Sequence, residues 1–266
     1  MPATKPLPSG FTLAIIGCGK CAYILLEHVL GDLGDRVCPI EFVVGDNVEA
    51  ARRADAVVLS CHPHQGSEIL RVPGMSEALA DKLLLSMLGG VSVTTLEDSL
   101  YAKSAGAVPS LGRCHIIQAI PNVAAARKKS ITVVGDRSAC MPDEALELGQ
   151  EILRRIGDHA FVGTNQMAAA TALCASGTAF FSWLVEAMVD AAVAEGIERS
   201  EATRMAALTM AGAAELVVSG EDPAVVTARV TTPGGATARG LAVLEHSEVK
   251  ETVAIALRAT TLKIRS

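Results

Sequence analysis

The sequence predicts an α/β protein in two parts, a doubly wound sheet followed by an all-α domain. Three observations carry that reading. An apolar run ends in Gly17-Cys18-Gly19 and gives way to residues with helical spacing. Short apolar runs then alternate with helical stretches as far as Ile156. From Asn165 the alternation stops, and the chain turns Ala-rich and apolar. A chain of 266 residues is long enough for two modest domains, each with its own core.

In order, Phe11 to Ile16 holds large and β-branched residues and reads as a strand. Residues 20 to 30 carry apolar groups at helical spacing. Ile40 to Val44 reads as a strand, Val48 to Arg53 as a short helix and Ala56 to Ser60 as a buried parallel strand. Leu83 to Met87, Val91 to Thr94 and His115 to Ala119 read as further strands, with a helix near Leu96 to Ala102. Ser130 to Val134 is another strand and Asp143 to Ile156 an amphipathic helix. A linker over Phe161 to Gln166 divides a sheet domain, 1–162, from a helical one, 163–266. Asn165 to Gly196 is apolar on nearly every side. One chain of this size does not readily cover such a helix, which predicts a second subunit. Glu201 to Ser219, Pro223 to Thr231 and Leu241 to Arg265 supply the remaining helices.

Composition excludes several functions. Half the residues are hydrophobic but aromatics are only 3%. That suits closely packed helices and leaves few stacking platforms for single-stranded nucleic acid. A net charge of -6 argues against a phosphate-backbone partner. No apolar run reads as approaching the roughly 18 to 20 residues of a membrane span. The Pro-bearing start, Met1 to Gly10, is not followed by a signal-like apolar region. Seven scattered cysteines, several in apolar runs, predict free thiols in a reducing cytoplasmic setting.

Two motifs carry chemistry. Gly17-Cys18-Gly19-Lys20-Cys21-Ala22 follows a strand and opens a helix. Glycines there let backbone approach a pyrophosphate, and the helix start offers N–H donors. The competing reading is an ordinary tight turn. Val230-Thr231-Thr232-Pro233-Gly234-Gly235-Ala236-Thr237 is the second. Pro233 begins a turn, the glycines free the backbone, and Thr237 is placed to cap the next helix. Consecutive N–H groups at such a start suit a carboxylate; the competing reading is a plain interhelical loop. Cys18 and Cys21 form a single C-x-x-C that the Gly turn already explains, and no second pair completes a zinc site. His62 and His64 straddle Pro63 without a nearby carboxylate, so no metal is predicted.

These motifs, taken together, resemble the pyrroline-5-carboxylate reductase family. Val230 to Thr237 is similar to its V-T/S-S/T-P-G-G-x-T signature, and Ala54 to Pro63 to its A-D-V-V-x-L-A-V-K-P run. Ala119-Ile120-Pro121-Asn122 matches A-M-P-N, and Ala172 to Phe180 matches A-L-x-G-S-G-P-A-Y/F, in the same order along nearly the whole chain. The resemblance implies a Rossmann-like domain, an interleaved helical homodimer or larger homo-oligomer, and hydride transfer from NADPH or NADH to a small imine. It implies a dinucleotide along Gly17, Gly19, Lys20, Cys21, Asn47, His62 and Asn122. Substrate would lie against Ser176, Gly177, Thr178, Thr232, Gly234, Gly235 and Ala236. The Thr237 hydroxyl would lie near the imine nitrogen.

The chain departs from the pattern of the family it resembles in the cofactor half. Only Gly31 to Cys38 separates the first helix from Ile40 to Val44, so one strand–helix unit is missing from the family register. Either Ile40 to Val44 takes the second-strand position, with Asp46 or Asn47 on a ribose hydroxyl, or the adenosine pocket is incomplete. The family's Lys is His62, its Arg before A-M-P-N is Gln118, and Gly and Pro of its substrate element are Ala175 and Thr178. This pattern predicts a divergent imine reductase recruited to another cyclic imine in specialised metabolism. The competing readings are non-redox cyclisation or isomerisation of an imine or enamine, and a non-catalytic dimeric scaffold that binds a small carboxylate.

Overall fold

The computed structural model describes residue 7 and residues 10–17, 45–101 and 112–265. The helix expected at 20 to 30, the strand at Ile40 to Val44 and the shortened unit lie outside them, as do Gly19, Lys20 and Cys21. By compactness the chain divides into Met1–Ser176 with Thr261–Ser266, and Gly177–Thr260. That division falls inside the helical run, whereas the change of composition falls near Gly163.

Among the described residues the first unit holds a six-stranded sheet: β1 (Leu13–Ile16), β2 (Ala56–Leu59), β3 (Leu83–Ser86), β4 (His115–Ile120), β5 (Ser130–Arg137) and β6 (Gly157–Phe161), adjacent in that order. β1 to β4 are mutually parallel, β5 runs antiparallel to β4, and β6 is parallel to β5. Strands buried on both faces read as unbroken apolar runs, and β2 and β3 are buried at every position. Their side chains alternate between two cores. Val57, Leu59 and Leu84 join Leu70, Met75 and Leu96 on one face; Ala56, Val58, Leu83 and Leu85 join Ile152, Leu153 and Ile156 on the other. Helices on both faces make the sheet doubly wound, as the alternation of runs predicts.

Among the described residues the α-helices of this unit are α1 (Asn47–Arg53), α2 (Pro63–Leu70), α3 (Met75–Ala78), α4 (Val93–Tyr101), α5 (Asp143–Arg154) and α6 (Met167–Thr171). The Asp46 carboxylate caps α1 by accepting from the Glu49 N–H at 2.9 Å. Pro63 opens α2, where its missing N–H costs nothing. Asp143 and Glu144 in the first turn of α5 and Arg154 in the last complement the helix dipole. Val91 to Thr94, expected as a strand, instead leads into α4. The Ser92 hydroxyl accepts from the Thr95 N–H at 3.1 Å, a cap that outweighs the β-branched composition of the stretch. β6, α2 and α3 have no counterpart among the elements expected from the sequence.

The second unit holds α7 (Gly177–Ala194), α8 (Arg199–Val218), α9 (Pro223–Arg229), α10 (Ala236–His246) and most of α11 (Val249–Arg265). α7 packs along α8, and α8 meets α9. The run Thr164–Ala194 is long and apolar enough to cross a membrane by length and composition, with a mean hydropathy of 1.5, and most of it is uncovered within the protomer. This corrects the expectation that no run reaches that length. Interspersed Ala, Gly and Thr hide the run from a reading keyed to large side chains, yet they leave its average high.

Candidate functional site

Parallel strands deliver their carboxyl ends to one edge of a sheet, and ligands of open α/β folds bind outside that edge. Register fixes what arrives there. Ile16 pairs with Leu59, Leu59 with Ser86, and Ser86 with Gln118. The segments immediately beyond are therefore Gly17, Ser60-Cys61-His62, Met87-Leu88-Gly89 and Ala119 to Asn122. Of the residues the resemblance assigns to a dinucleotide, the fold brings Gly17, His62 and Asn122 to this edge. Asn47 is exposed at the first position of α1, next to the Asp46 cap.

Gly17 is required by geometry. Its φ is +86°, and a Cβ there would lie 2.6 Å from the Cys61 backbone nitrogen and 2.7 Å from its Cα. The chains leaving β1 and β2 touch backbone to backbone, held by the Ser60 N–H donating to the Ile16 carbonyl at 2.8 Å. Gly17 thus stands at the carboxyl edge of β1, where the glycine turn of a dinucleotide-binding fold lies. Gly89, at the end of β3, is exposed with open space where a Cβ would be. These features fit the phosphate part of a dinucleotide.

His62 stands in extended conformation at the start of α2, and its N–H donates to the Gln65 side-chain oxygen at 3.2 Å. Its exposed ring stacks on His64, with centroids 5.7 Å apart and planes 13° from parallel. Partial burial raises the Cys61 thiol above its ordinary value, so this neighbour is a neutral thiol at physiological pH. Gln118, standing where the family has Arg, is buried and donates from Nε2 to the Val91 carbonyl at 2.8 Å; it packs within the fold.

Asn122 is buried and more engaged than the motif suggested. Its N–H donates to Ser130 Oγ at 3.1 Å, and its Oδ1 accepts from the Ala124 N–H at 2.9 Å, capping the 3-10 turn Val123–Arg127. Its Nδ2 donates to the Cys174 carbonyl at 2.9 Å. Cys174 lies in a π-helical turn, Ala172–Ser176, between α6 and α7. Ser176 closes that turn half-buried, Gly177 is buried at the start of α7, and Thr178 follows it half-buried. No local sequence signal distinguishes this π turn from ordinary helix.

In the second unit, the bend before α10 has the backbone that its glycines imply. Gly234 has φ +71°, and the Gly235 N–H closes the turn on the Thr232 carbonyl at 2.9 Å. Gly235 is the N-cap of α10 and offers no side chain, and the first intrahelical donor is the Arg239 N–H, bonded to the Gly235 carbonyl. The N–H groups of Ala236, Thr237 and Ala238 thus precede the helical ladder and point out of its end. Thr237 lies inside the first turn of α10 and does not cap it, a correction to the sequence reading. Thr232, Gly234, Ala236 and Thr237 are exposed in the protomer.

Comparison with known proteins points one way. Residues 164–266 match the family profile described as pyrroline-5-carboxylate reductase dimerisation. The chain is 49% identical over 241 residues, 91% of its length and 76% of the relative's, to the pyrroline-5-carboxylate reductase ucsG of an Acremonium species. It is 37% identical to a pyrroline-5-carboxylate reductase of Lophium arboricola, covering 98% of this chain and 95% of the relative. That match extends over 303 residues, more than the 266 of this chain, so the relative carries internal residues with no counterpart here. Among solved structures, the Plasmodium falciparum pyrroline carboxylate reductase with NADP bound superposes with a TM-score of 0.81 at 23% identity, over 96% of this chain and 97% of that one.

Proposed function

The chain belongs to the pyrroline-5-carboxylate reductase family, and on that premise we propose that it is an oxidoreductase that reduces the C=N bond of a cyclic imine carrying a carboxylate. A reduced nicotinamide dinucleotide supplies the hydride when bound. The observation that carries the reading is the crevice edge itself. Gly17, at φ +86° and packed against the Cys61 backbone, ends β1 in a glycine turn at the carboxyl edge of the parallel strands, where open α/β folds receive a dinucleotide. Gly17, His62 and the segment through Gly89 hold the cofactor, with Asn47 toward its ribose side. Lys20, Cys21 and Gly19 complete the phosphate turn by family resemblance.

The residues of the helical unit bind the other reactant. The N–H groups of Ala236 and Thr237, with the Gly234-Gly235 backbone, receive the substrate carboxylate at the positive end of α10. The Thr237 hydroxyl, which capping leaves free, donates to the imine nitrogen or an ordered water. By family resemblance, Ser176, Gly177, Thr178 and Thr232 would lie against the substrate. An iminium is already electrophilic, so orientation and exclusion of water supply most of the rate. The exposed apolar helices are covered by a second copy, giving a homodimer or larger ring, and cysteines scattered through apolar runs suit the reducing cytosol.

The substrate we favour is a cyclic imine other than the proline precursor, in specialised metabolism, because His62, Gln118, Ala175 and Thr178 all replace family residues. A second reading, non-redox cyclisation or isomerisation, is favoured by the internal residues of the relative that this chain lacks. Calorimetry with NADH and NADPH, followed by product analysis over a panel of cyclic imines, separates the two. Micromolar cofactor binding with consumption of reduced nicotinamide is the expected result. Absence of binding at millimolar cofactor refutes the reductase.

A further inference from the structure

We propose that Asn122 is a positioning residue: its side-chain amide holds the π turn Ala172–Ser176 open and so sets the Ser176 hydroxyl, without itself being a ligand of the dinucleotide. The proposal rests on the reductase reading for its kinetic consequence and on the structure alone for its mechanical one.

The helical run is α-helical through Thr171, π-helical over Ala172–Ser176, and α-helical again from Gly177. Widening a turn from four to five residues shifts the regular ladder, and such single-turn π-bulges occur frequently at functional sites. Ala-Leu-Cys-Ala-Ser contains neither Pro nor Gly, so nothing in its own covalent structure forces the widening. A donor from outside the helical run is Asn122 Nδ2, 2.9 Å from the Cys174 carbonyl and 52 residues away in sequence.

The amide is well placed to hold. Its oxygen is fixed by the Ala124 N–H and its backbone by Ser130 Oγ, which also lies 3.3 Å from Thr132 Oγ1. Ser130 and Thr132 are buried on β5. The same strand receives α6 closely: at Gly135 a Cβ would lie 2.5 Å from Met167 Sδ. The wide turn is therefore referenced to the sheet through Asn122, and Ser176 closes it. Buried polar groups linked in this way rigidify the segment they join.

Asn122→Asp tests the assignment, because Asp keeps the acceptor for Ala124 and loses the donor to Cys174. Amide hydrogen exchange on wild type and variant should show residues 173–178 exchanging about tenfold faster in the variant, the rest of β5 unchanged. In steady-state kinetics kcat/KM for the imine should fall roughly 10- to 100-fold, the scale on which small misplacements act. The NAD(P)H Kd should stay within about threefold. Asn122→Ser, short and uncharged, serves if the Asp variant does not fold. The proposal is overturned if exchange over 173–178 is unchanged, or if cofactor Kd rises tenfold while imine KM and kcat hold. Should wild type fail to turn over any imine, the reductase reading falls, and the exchange comparison still decides whether Asn122 holds the turn.

Discussion

Replacing Gly17 by alanine probes fold and site together. The added Cβ must adopt φ +86°, which costs an L-residue roughly 1–2 kcal/mol. It must also sit 2.6 Å from the Cys61 nitrogen, 2.7 Å from its Cα and 2.8 Å from the Ser60 carbonyl carbon. All three are backbone atoms, so no side-chain rotation relieves the clash. Either β1 and β2 separate at their ends or the turn distorts, which adds about 1–3 kcal/mol as overpacking. The combined penalty of about 2–5 kcal/mol is a large share of the roughly 5–15 kcal/mol that stabilises a typical protein. For a chain of this size it lowers Tm by about 4–20 °C. Thermal unfolding at matched protein concentration reads the shift, and titration with NAD(P)H reads the site. Gly89→Ala, where the new Cβ meets open space at ordinary φ, controls for stability and should change it by no more than about 0.5 kcal/mol. A Gly17→Ala protein that melts with wild type and binds cofactor equally well would refute the argument.

Two further outcomes follow from other parts of the fold. Cys114 is buried, and burial pushes its thiol far above the ordinary value, so the folded state keeps this proton to higher pH than the unfolded state does. Stability is therefore lost as pH rises past the unfolded thiol pKa of about 8.5, by roughly 2 kcal/mol at pH 10. Cys114→Ala should show a shallower loss of Tm between pH 8 and 10; an identical slope would sink the assignment. On α7, Trp183 and Phe181 are exposed apolar side chains within a segment matching a dimerisation family. Trp183→Glu should shift the mass measured by light scattering toward the monomer, and an unchanged mass would remove this face from the interface.

Much of the sheet was legible because its signals are local. Ala56–Leu59 is a continuous apolar run between Asp55 and Ser60, Leu83–Leu85 is one between Lys82 and Ser86, and Gly17 ends its strand where a motif reading puts it. The exceptions are also physical. Val91 to Thr94 looks like a strand by β-branching, but a single hydroxyl, Ser92, caps it into a helix. The short edge strand Gly157–Phe161 is half polar and gains its identity only from pairing with β5. In the candidate site, glycines, turn residues and the Pro-Gly-Gly bend announced themselves. Composition suggests Thr237 as a cap, but the break between turn and helix falls at Gly235, a difference of one or two residues that composition does not resolve.

By itself the sequence determined the alternation of elements, the change to an all-helical second half, and which glycines the backbone needs, since each is set by the chemistry of neighbouring residues. Only the tertiary structure decided that Gly17 abuts Cys61, that Gln118 is a packing residue donating to Val91, and that Asn122 reaches Cys174. Those contacts join residues 27 to 52 positions apart in the latter two cases. Their partners are chosen by strand order and register, a property of the folded sheet that no stretch of chain carries alone.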